Sequence, residues 1–192
     1  IKSKQIICHI RRANRGRVCL ENTHPFVRHL WGRNWCFAHN GQLKGIKTAL
    51  KLRHYQPVGT TDSEFIFCWI MDQIHLKFGN NPPKRASTLW KFIETLCLKT
   101  SEYGVFNMLL SDSTSLYAFC STKLAWLTRK APFGKAKLVD EELEIDFCNY
   151  HSPHEIVTVI ATTPLTHDEP WCKAEKKEFL VFQQGVLVNK SE

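Results

Sequence analysis

The chain has 192 residues, 43% of them hydrophobic and 23% charged, with 9 Gly and 8 Pro. These values suit one globular domain and exclude disordered and fibrous proteins. The richest apolar run, residues 65–71, lies between Glu64 and Asp72 and is too short to span a bilayer, so we expect no membrane segment. The net charge of +8 is compatible with binding to nucleic acid, so the sequence motifs are needed to support or exclude that function.

The first third of the chain predicts two strands joined by a long loop. Residues 5–13 are apolar with a basic end and predict a strand, whereas residues 14–34 contain Gly, Asn and Pro and predict a loop. Residues 34–39 are rich in aromatic and small apolar side chains, which favours a second strand. The Asn40-Gly41 dipeptide that follows is a strong turn signal.

Two helices and a series of short strands are predicted in the remainder. Thr61 and Glu64 match a capping box, and the apolar spacing after them predicts a helix. A second helix is predicted over residues 85–102. Strands are predicted over residues 105–110, 115–120, 124–128, 156–161 and 179–188, with a tight turn at 111–113. This order favours a layered α+β domain over alternating βαβ units.

Three polar patches stand out because an ordinary core does not require them. They are HIRRANRG at residues 9–16, HNG at residues 39–41, and TDSE at residues 61–64. In this order they resemble the class II glutamine amidotransferases, whose glutaminase domain belongs to the N-terminal-nucleophile hydrolases. The stretches ENTHPF, LWGRNW, AHNGQL, PVGTTDSE, GVFNMLLSD and VTVIAT are similar to those of the small stand-alone bacterial members.

This resemblance implies the fold, the domain and the reaction. The fold would be an α+β, αββα sandwich of antiparallel sheets with helices, here without its first strands. The domain would be a glutamine amidotransferase type 2 domain over residues 1–192. The reaction would be hydrolysis of the side-chain amide of glutamine or of a related γ-glutamyl compound.

The resemblance also implies the roles of four residues. The Asn40 side-chain amide and the Gly41 N–H group would form the oxyanion hole, and losing one such donor typically costs about 10²–10³ in rate. Arg11 would clamp the α-carboxylate of the substrate, a task that suits a planar bidentate donor. Asp62 would pair with the α-ammonium group.

The residues alone allow other interpretations. Asn40-Gly41 could be an ordinary hairpin turn, Asp62 a first-turn acid that faces the helix dipole, and Arg11 part of a basic surface. Their occurrence in family order favours the amidotransferase interpretation. Residues 12–15 depart from the family pattern, in which an aromatic residue and a Thr-His pair are common. The choice between free glutamine and another γ-glutamyl compound therefore stays open.

The nucleophile of the family has no clear counterpart. Members use a cysteine at the mature N-terminus, with its own α-amino group as the base. This chain starts at Ile1, and Cys8 lies within an apolar stretch where we expect a protonated thiol. We hypothesise that the complete protein is an amidohydrolase and that this chain lacks its front portion. The alternative is a catalytically inactive γ-glutamyl-binding or assembly module.

For the chain as given we expect no release of ammonia from glutamine. Measurable release that Asn40→Ala abolishes would overturn this expectation. Because nothing after residue 165 suggests a transferase domain, we expect either a stand-alone hydrolase or an enzyme that depends on a separate ammonia-accepting partner.

Charge and cysteine content indicate the remaining partners and the compartment. Residues 1–54 contain 12 Lys or Arg and one acid, which suits an anionic substrate or a solvated basic surface. No zinc finger, aromatic RNA-binding pattern or helix-turn-helix signature is recognisable, so we expect no nucleic-acid partner.

The eight cysteines are scattered without a Cys-x-x-Cys pair, which favours reduced thiols in the cytoplasm. His151 and His154 flank Pro153 without a nearby cysteine, so we expect a loop there and neither metal nor cofactor.

Overall fold

The computed structural model describes residues 3–10, 19–148 and 152–191. The helices in this part of the chain are α1 (Ile46–Ala49), α2 (Asp62–Phe78) and α3 (Ala86–Ser101), with a 3-10 turn at Leu20–Asn22. The strands are β1 (Phe26–Leu30), β2 (Arg33–Leu43), β3 (Gly104–Ser111), β4 (Leu116–Phe119), β5 (Ala125–Lys130), β6 (Lys135–Lys137), β7 (Glu144–Asp146), β8 (Ile156–Ala161), β9 (Cys172–Lys173), β10 (Phe179–Gln183) and β11 (Val186–Lys190).

The strands form three antiparallel sheets. The largest has six strands in the order β1-β2-β3-β4-β10-β11, the second has the order β8-β5-β9, and β6 pairs with β7. Both long helices pack on the six-stranded sheet, α2 on β1 and β2, and α3 on β3. Antiparallel sheets combined with helices confirm the predicted α+β fold class.

The main core lies between the two long helices and the six-stranded sheet. Phe37 of β2 stacks on Phe67 of α2, with their ring centroids 4.9 Å apart. Trp35 is two residues earlier on the same face of β2 and is also fully buried. Because each buried side chain of this size contributes about 1.5–3 kcal/mol, this face of β2 holds α2 in place.

A smaller core on the opposite face joins the two larger sheets. Its buried members are Ala118, Cys120, Leu124, Leu180 and Phe182. Trp126 of β5 contacts Phe182 edge to face, with the ring centroids 5.7 Å apart. Since side chains alternate along a strand, the even-numbered residues near the end of β2 face the second sheet, and the odd-numbered ones face the helices.

Most of the predicted elements are confirmed. The helix that begins after Thr61, the helix predicted over residues 85–102 and the strands predicted over 105–110, 115–120, 124–128 and 156–161 are present within two residues of the expected ends. The strand predicted over residues 34–39 is part of the longer β2. The turn at 111–113 is present too, where the Asp112 carboxylate accepts hydrogen bonds from Thr114 N and Ser115 N.

Two predictions near the beginning of the chain are wrong. The strand expected over residues 5–13 is not formed at residues 5–10, and residues 11–13 lie outside the described part. The loop expected over residues 14–34 contains β1, which pairs with β2 through a two-residue turn at Trp31 and Gly32. Both turn residues have positive φ, 56° and 69°, as a type I′ hairpin turn requires.

The turn expected at Asn40-Gly41 is also wrong, because both residues lie inside β2 and pair with Asn107 and Phe106 of β3. The strand expected over residues 179–188 is a hairpin of β10 and β11. Its turn lies at Gln184 and Gly185. Neither Trp31-Gly32 nor Gln184-Gly185 belongs to the Asn-Gly type of turn dipeptide that sequence analysis recognises most readily.

A buried carboxylate holds the segment that leads into α2. Glu64 is 2% exposed, and it accepts hydrogen bonds from Val58 N at 2.9 Å and Gly59 N at 2.7 Å. It also pairs with Arg28 at 2.6 Å. The Thr61 hydroxyl accepts from Glu64 N at 3.1 Å, so only half of the predicted capping box forms. The Glu64 carboxylate binds the backbone N–H groups of Val58 and Gly59 and not that of Thr61, which a complete capping box would require.

We predict that Glu64→Ala lowers the free energy of unfolding by about 3–5 kcal/mol, because Arg28 and two backbone N–H groups would lose a shared buried acceptor. Chemical denaturation measures this loss. Glu144→Ala is the matched control, since Glu144 pairs with Lys135 at an exposed position and its loss should change stability little. Equal losses in the two variants would contradict the assignment.

Candidate functional site

The site forms where the end of β2 meets the start of α2. The Asp62 carboxylate, at the first position of α2, accepts a hydrogen bond from Leu43 N at 2.8 Å and another from Ser63 N at 3.0 Å. Asp62 is half-buried, and the helix N-terminus favours its negative charge. Each carboxylate oxygen can accept more than one hydrogen bond, so Asp62 keeps capacity for a further donor.

The strand register gives the direction of the Gly41 N–H group. Just beyond the paired residues of β2 and β3, Lys44 N donates to Tyr103 O at 2.9 Å. The backbone N–H group of Lys44 therefore points towards the β3 side. Phe106, opposite Gly41, donates its N–H group away from β2, to Ser121 Oγ at 2.8 Å. In an antiparallel ladder inward and outward pairs alternate, so Gly41 N and Leu43 N both point away from β3.

The Gly41 N–H group therefore points to the side of β2 where Asp62 lies. Leu43 N already donates to Asp62 on that side. β1 pairs with β2 only as far as Phe37, and no other described strand pairs with that edge near Gly41. The edge thus offers a backbone donor close to a carboxylate, which is an arrangement that can bind a polar ligand.

Gly41 is also a position where only glycine fits. A Cβ atom there would overlap the carbonyl oxygen of Val105 and would lie 2.8 Å from His39 Nε2. Its backbone can approach β3 this closely because the side chain is absent. The glycine of the Asn-Gly pair is thus explained by close packing of the backbone, not by a turn.

The Asn40 side chain lies on the opposite face of β2, and Asn40 contacts both the neighbouring strand β3 and the second sheet. Its backbone oxygen accepts a hydrogen bond from Asn107 Nδ2 at 3.1 Å. Its exposed side chain donates from Nδ2 to Thr162 Oγ1 of the second sheet at 3.1 Å. Among the described residues, the second N–H of this amide has no hydrogen-bond partner and is available to a ligand.

A buried histidine fixes β2 against α2 just before the site. His39 Nδ1 lies 2.9 Å from Ser63 Oγ, and His39 Nε2 lies 3.0 Å from Val105 O. Since a carbonyl can only accept, Nε2 carries the proton and Nδ1 accepts from the Ser63 hydroxyl. Burial lowers the pKa of His39, despite the opposing influence of Val105 O and Asp62, so the ring is neutral at pH 7.

The structure brings three of the four predicted site residues together. Asn40, Gly41 and Asp62 lie at one junction, whereas Arg11 lies outside the described residues. Cys8 is exposed and not in a strand, so the expectation of an apolar strand around it is wrong. Sequence analysis assigned no role to four supporting residues, which are His39, Ser63, Asn107 and Thr162. All four lie within the motifs HNG, TDSE, GVFNMLLSD and VTVIAT, and this placement was the available signal that they belong near the site.

Neither metal ligation nor a membrane span is found in the part of the chain that the structure describes. No group of three or more His, Cys, Asp or Glu residues there could hold a metal ion. No helix there is long and apolar enough to cross a bilayer. His154 lies in a turn as expected, while His151 is outside the described ranges.

Comparison with known proteins gives consistent matches along the chain. The family model for class II glutamine amidotransferases matches residues 1–192. YafJ of Escherichia coli (strain K12), named as a candidate glutamine amidotransferase, is 50% identical over 188 residues, which cover 98% of this chain and 73% of YafJ.

Solved structures agree with these sequence matches. The crystal structure of a predicted glutamine amidotransferase from Pseudomonas aeruginosa PA01 is 43% identical, has a TM-score of 0.82, and covers 94% of this chain and 70% of its own. A glutamine phosphoribosylpyrophosphate amidotransferase from B. subtilis shares the fold at 13% identity with a TM-score of 0.54. That match covers 95% of this chain and 33% of its own.

We predict that His39 makes the unfolding free energy fall as the pH drops below about 6.5. The unfolded chain binds a proton near that pH, whereas the folded chain, with its lowered pKa, does not. The contribution is at most about 1.4 kcal/mol per pH unit. Denaturation between pH 7.5 and 5.5 should show that His39→Gln loses this part of the slope. His29→Gln, at an exposed site on β1, should keep it. An unchanged slope in His39→Gln would contradict the assignment.

Proposed function

Because the chain belongs to the class II glutamine amidotransferases, we propose that Asn40, Gly41 and Asp62 bind glutamine or a related γ-glutamyl compound for attack on its side-chain amide. The observation that carries this proposal is that the Gly41 N–H group points to the side of β2 where the Asp62 carboxylate lies, along an edge that no described strand covers. The Gly41 N–H group can donate to the side-chain amide of such a ligand, and the Asp62 carboxylate can accept from its α-ammonium group.

The amide end of the ligand would lie at Asn40 and Gly41. The carbonyl oxygen would accept hydrogen bonds from the Asn40 side chain and the Gly41 backbone. When a nucleophile adds to the amide carbon, negative charge develops on this oxygen, and fixed donors stabilise it without reorganising. Gly41 suits this role because its backbone is held closely against Val105.

The amino-acid end would lie at Asp62. Asp62 accepts a hydrogen bond from Leu43 N. Leu43 is two residues beyond Gly41, which corresponds to about 7 Å along a strand. An extended glutamine spans about 5 Å from its α-nitrogen to its amide carbon by standard bond lengths. The carboxylate is therefore at a suitable distance to pair with the α-ammonium group. By family resemblance, Arg11 would bind the α-carboxylate.

Hydrolysis additionally needs a thiolate, which in the family is the N-terminal cysteine. Its sulfur would bond to the amide carbon, ammonia would leave with the proton from the thiol, and water would cleave the thioester to release glutamate. Cys36 shares the Asn40 face of β2 but lies four residues, or about 13 Å, away. Burial also raises the pKa of Cys36, which keeps it protonated. We propose hydrolysis through such a cysteine thiolate, with the ammonia either released or passed to a separate acceptor.

We predict that this chain binds L-glutamine saturably and that Asp62→Asn weakens binding by about tenfold or more, because a hydrogen bond to a charged group contributes about 1.5–3 kcal/mol. Isothermal titration calorimetry measures both affinities. Glutaramate, which lacks the α-ammonium group, should bind the two proteins equally. Asp140→Asn, in the connection between β6 and β7, is the matched control and should leave glutamine binding unchanged.

Two results would contradict this assignment. The first is the absence of saturable glutamine binding by the unsubstituted chain. The second is an equal loss of glutamine and glutaramate binding in Asp62→Asn, since this would indicate general damage to the site in place of a lost ammonium contact.

A further inference from the structure

The side-chain amide of Asn40 is held by a residue from the second sheet. Thr162 follows directly after β8, and its hydroxyl accepts the hydrogen bond from Asn40 Nδ2 at 3.1 Å. Thr162 is half-buried, whereas Asn40 is exposed. We propose that Thr162 is a positioning residue that orients the Asn40 amide towards the substrate carbonyl. This inference rests on the proposed role of Asn40 in the oxyanion hole.

An asparagine on an exposed strand face does not orient its own amide. The terminal torsion of the side chain is broad, so the N–H directions depend on partners. The two N–H groups of Asn40 share one nitrogen and one plane. When Thr162 accepts from one of them, the direction of the other is fixed as well, and this second N–H is the donor left for a ligand.

Thr162 can perform this task because the segment that follows it is anchored. Thr166 pairs with Leu138 in an isolated bridge, and its hydroxyl accepts a hydrogen bond from Trp171 Nε1 at 2.8 Å. The Thr166 hydroxyl also donates to Glu169, which forms a bidentate pair with Arg129 of β5 at 2.6 and 2.5 Å. Thr162 therefore lies between β8 and a segment, residues 166–171, that is held by these contacts.

The backbone of Asn40 is fixed independently. Asn107 donates to Asn40 O, and its own side-chain oxygen accepts hydrogen bonds from the backbone N–H groups of residues 121–123. Asn107 is 6% exposed, so this network is shielded from water. With the backbone held by Asn107, the remaining freedom of Asn40 is in its side chain, which Thr162 restricts.

Three substitutions test this proposal by glutamine affinity and by NMR. Thr162→Val removes the hydroxyl at nearly constant shape and should weaken L-glutamine binding about fivefold, the effect of one neutral hydrogen bond. Thr162→Ser keeps the hydroxyl and should restore binding. Thr163→Val alters the exposed neighbour and should bind as the unsubstituted chain does. The Asn40 amide resonance, identified by its loss in Asn40→Asp, should shift in Thr162→Val but not in Thr162→Ser.

The possible outcomes are distinguishable. Unchanged or tighter glutamine binding in Thr162→Val overturns the positioning role and leaves the proposed function intact. Equal weakening in Thr162→Val and Thr162→Ser also overturns it, because the hydroxyl would then not be the cause. If the unsubstituted chain does not bind glutamine, the proposed function is wrong, and the role of Thr162 is rejected with it.

Discussion

The hydrogen bond from the Leu43 N–H group to the Asp62 carboxylate is the constraint on which the rest of the site depends. It joins the end of β2 to the start of α2 and brings a carboxylate beside the backbone donor of Gly41. A second connection, from Ser63 to His39, lies on the same two elements. Two connections fix both the distance and the rotation of the helix relative to the strand, and so pre-organise the site before any ligand binds.

The TDSE segment connects the start of α2 to three other parts of the fold. Thr61 caps the helix, Asp62 contacts β2, Ser63 bonds to His39, and Glu64 holds the preceding segment together with Arg28. Four consecutive side chains thus have four different tasks. A substitution at any of them would leave a different buried or half-buried group without its partner.

Local patterns predicted much of the fold. Helix caps, apolar spacing and strand composition identified α2, α3 and most strands after Gly104, because these signals lie within one element. The β1–β2 hairpin was missed because Trp31 at positive φ is rare. Asn40-Gly41 was mispredicted as a turn, because a glycine required for close backbone approach has the same sequence signal as a turn glycine.

The contacts that complete the site could not be predicted in this way. The pairs His39–Ser63, Asn40–Asn107 and Asn40–Thr162 are separated by 24, 67 and 122 residues in sequence. They depend on how β2, β3, α2 and the second sheet pack, which no local pattern contains. The family resemblance predicted which residues form the site, and the three-dimensional structure shows which contacts hold Asn40, Gly41 and Asp62 in place.

The most direct test of this account is a crystal structure of the chain with bound L-glutamine. We expect the side-chain carbonyl oxygen of glutamine within about 3.2 Å of both Asn40 Nδ2 and Gly41 N, and the α-ammonium group on the Asp62 carboxylate. Glutamine bound elsewhere, or with its amide directed away from Gly41, would contradict the central claim that this junction recognises the substrate amide.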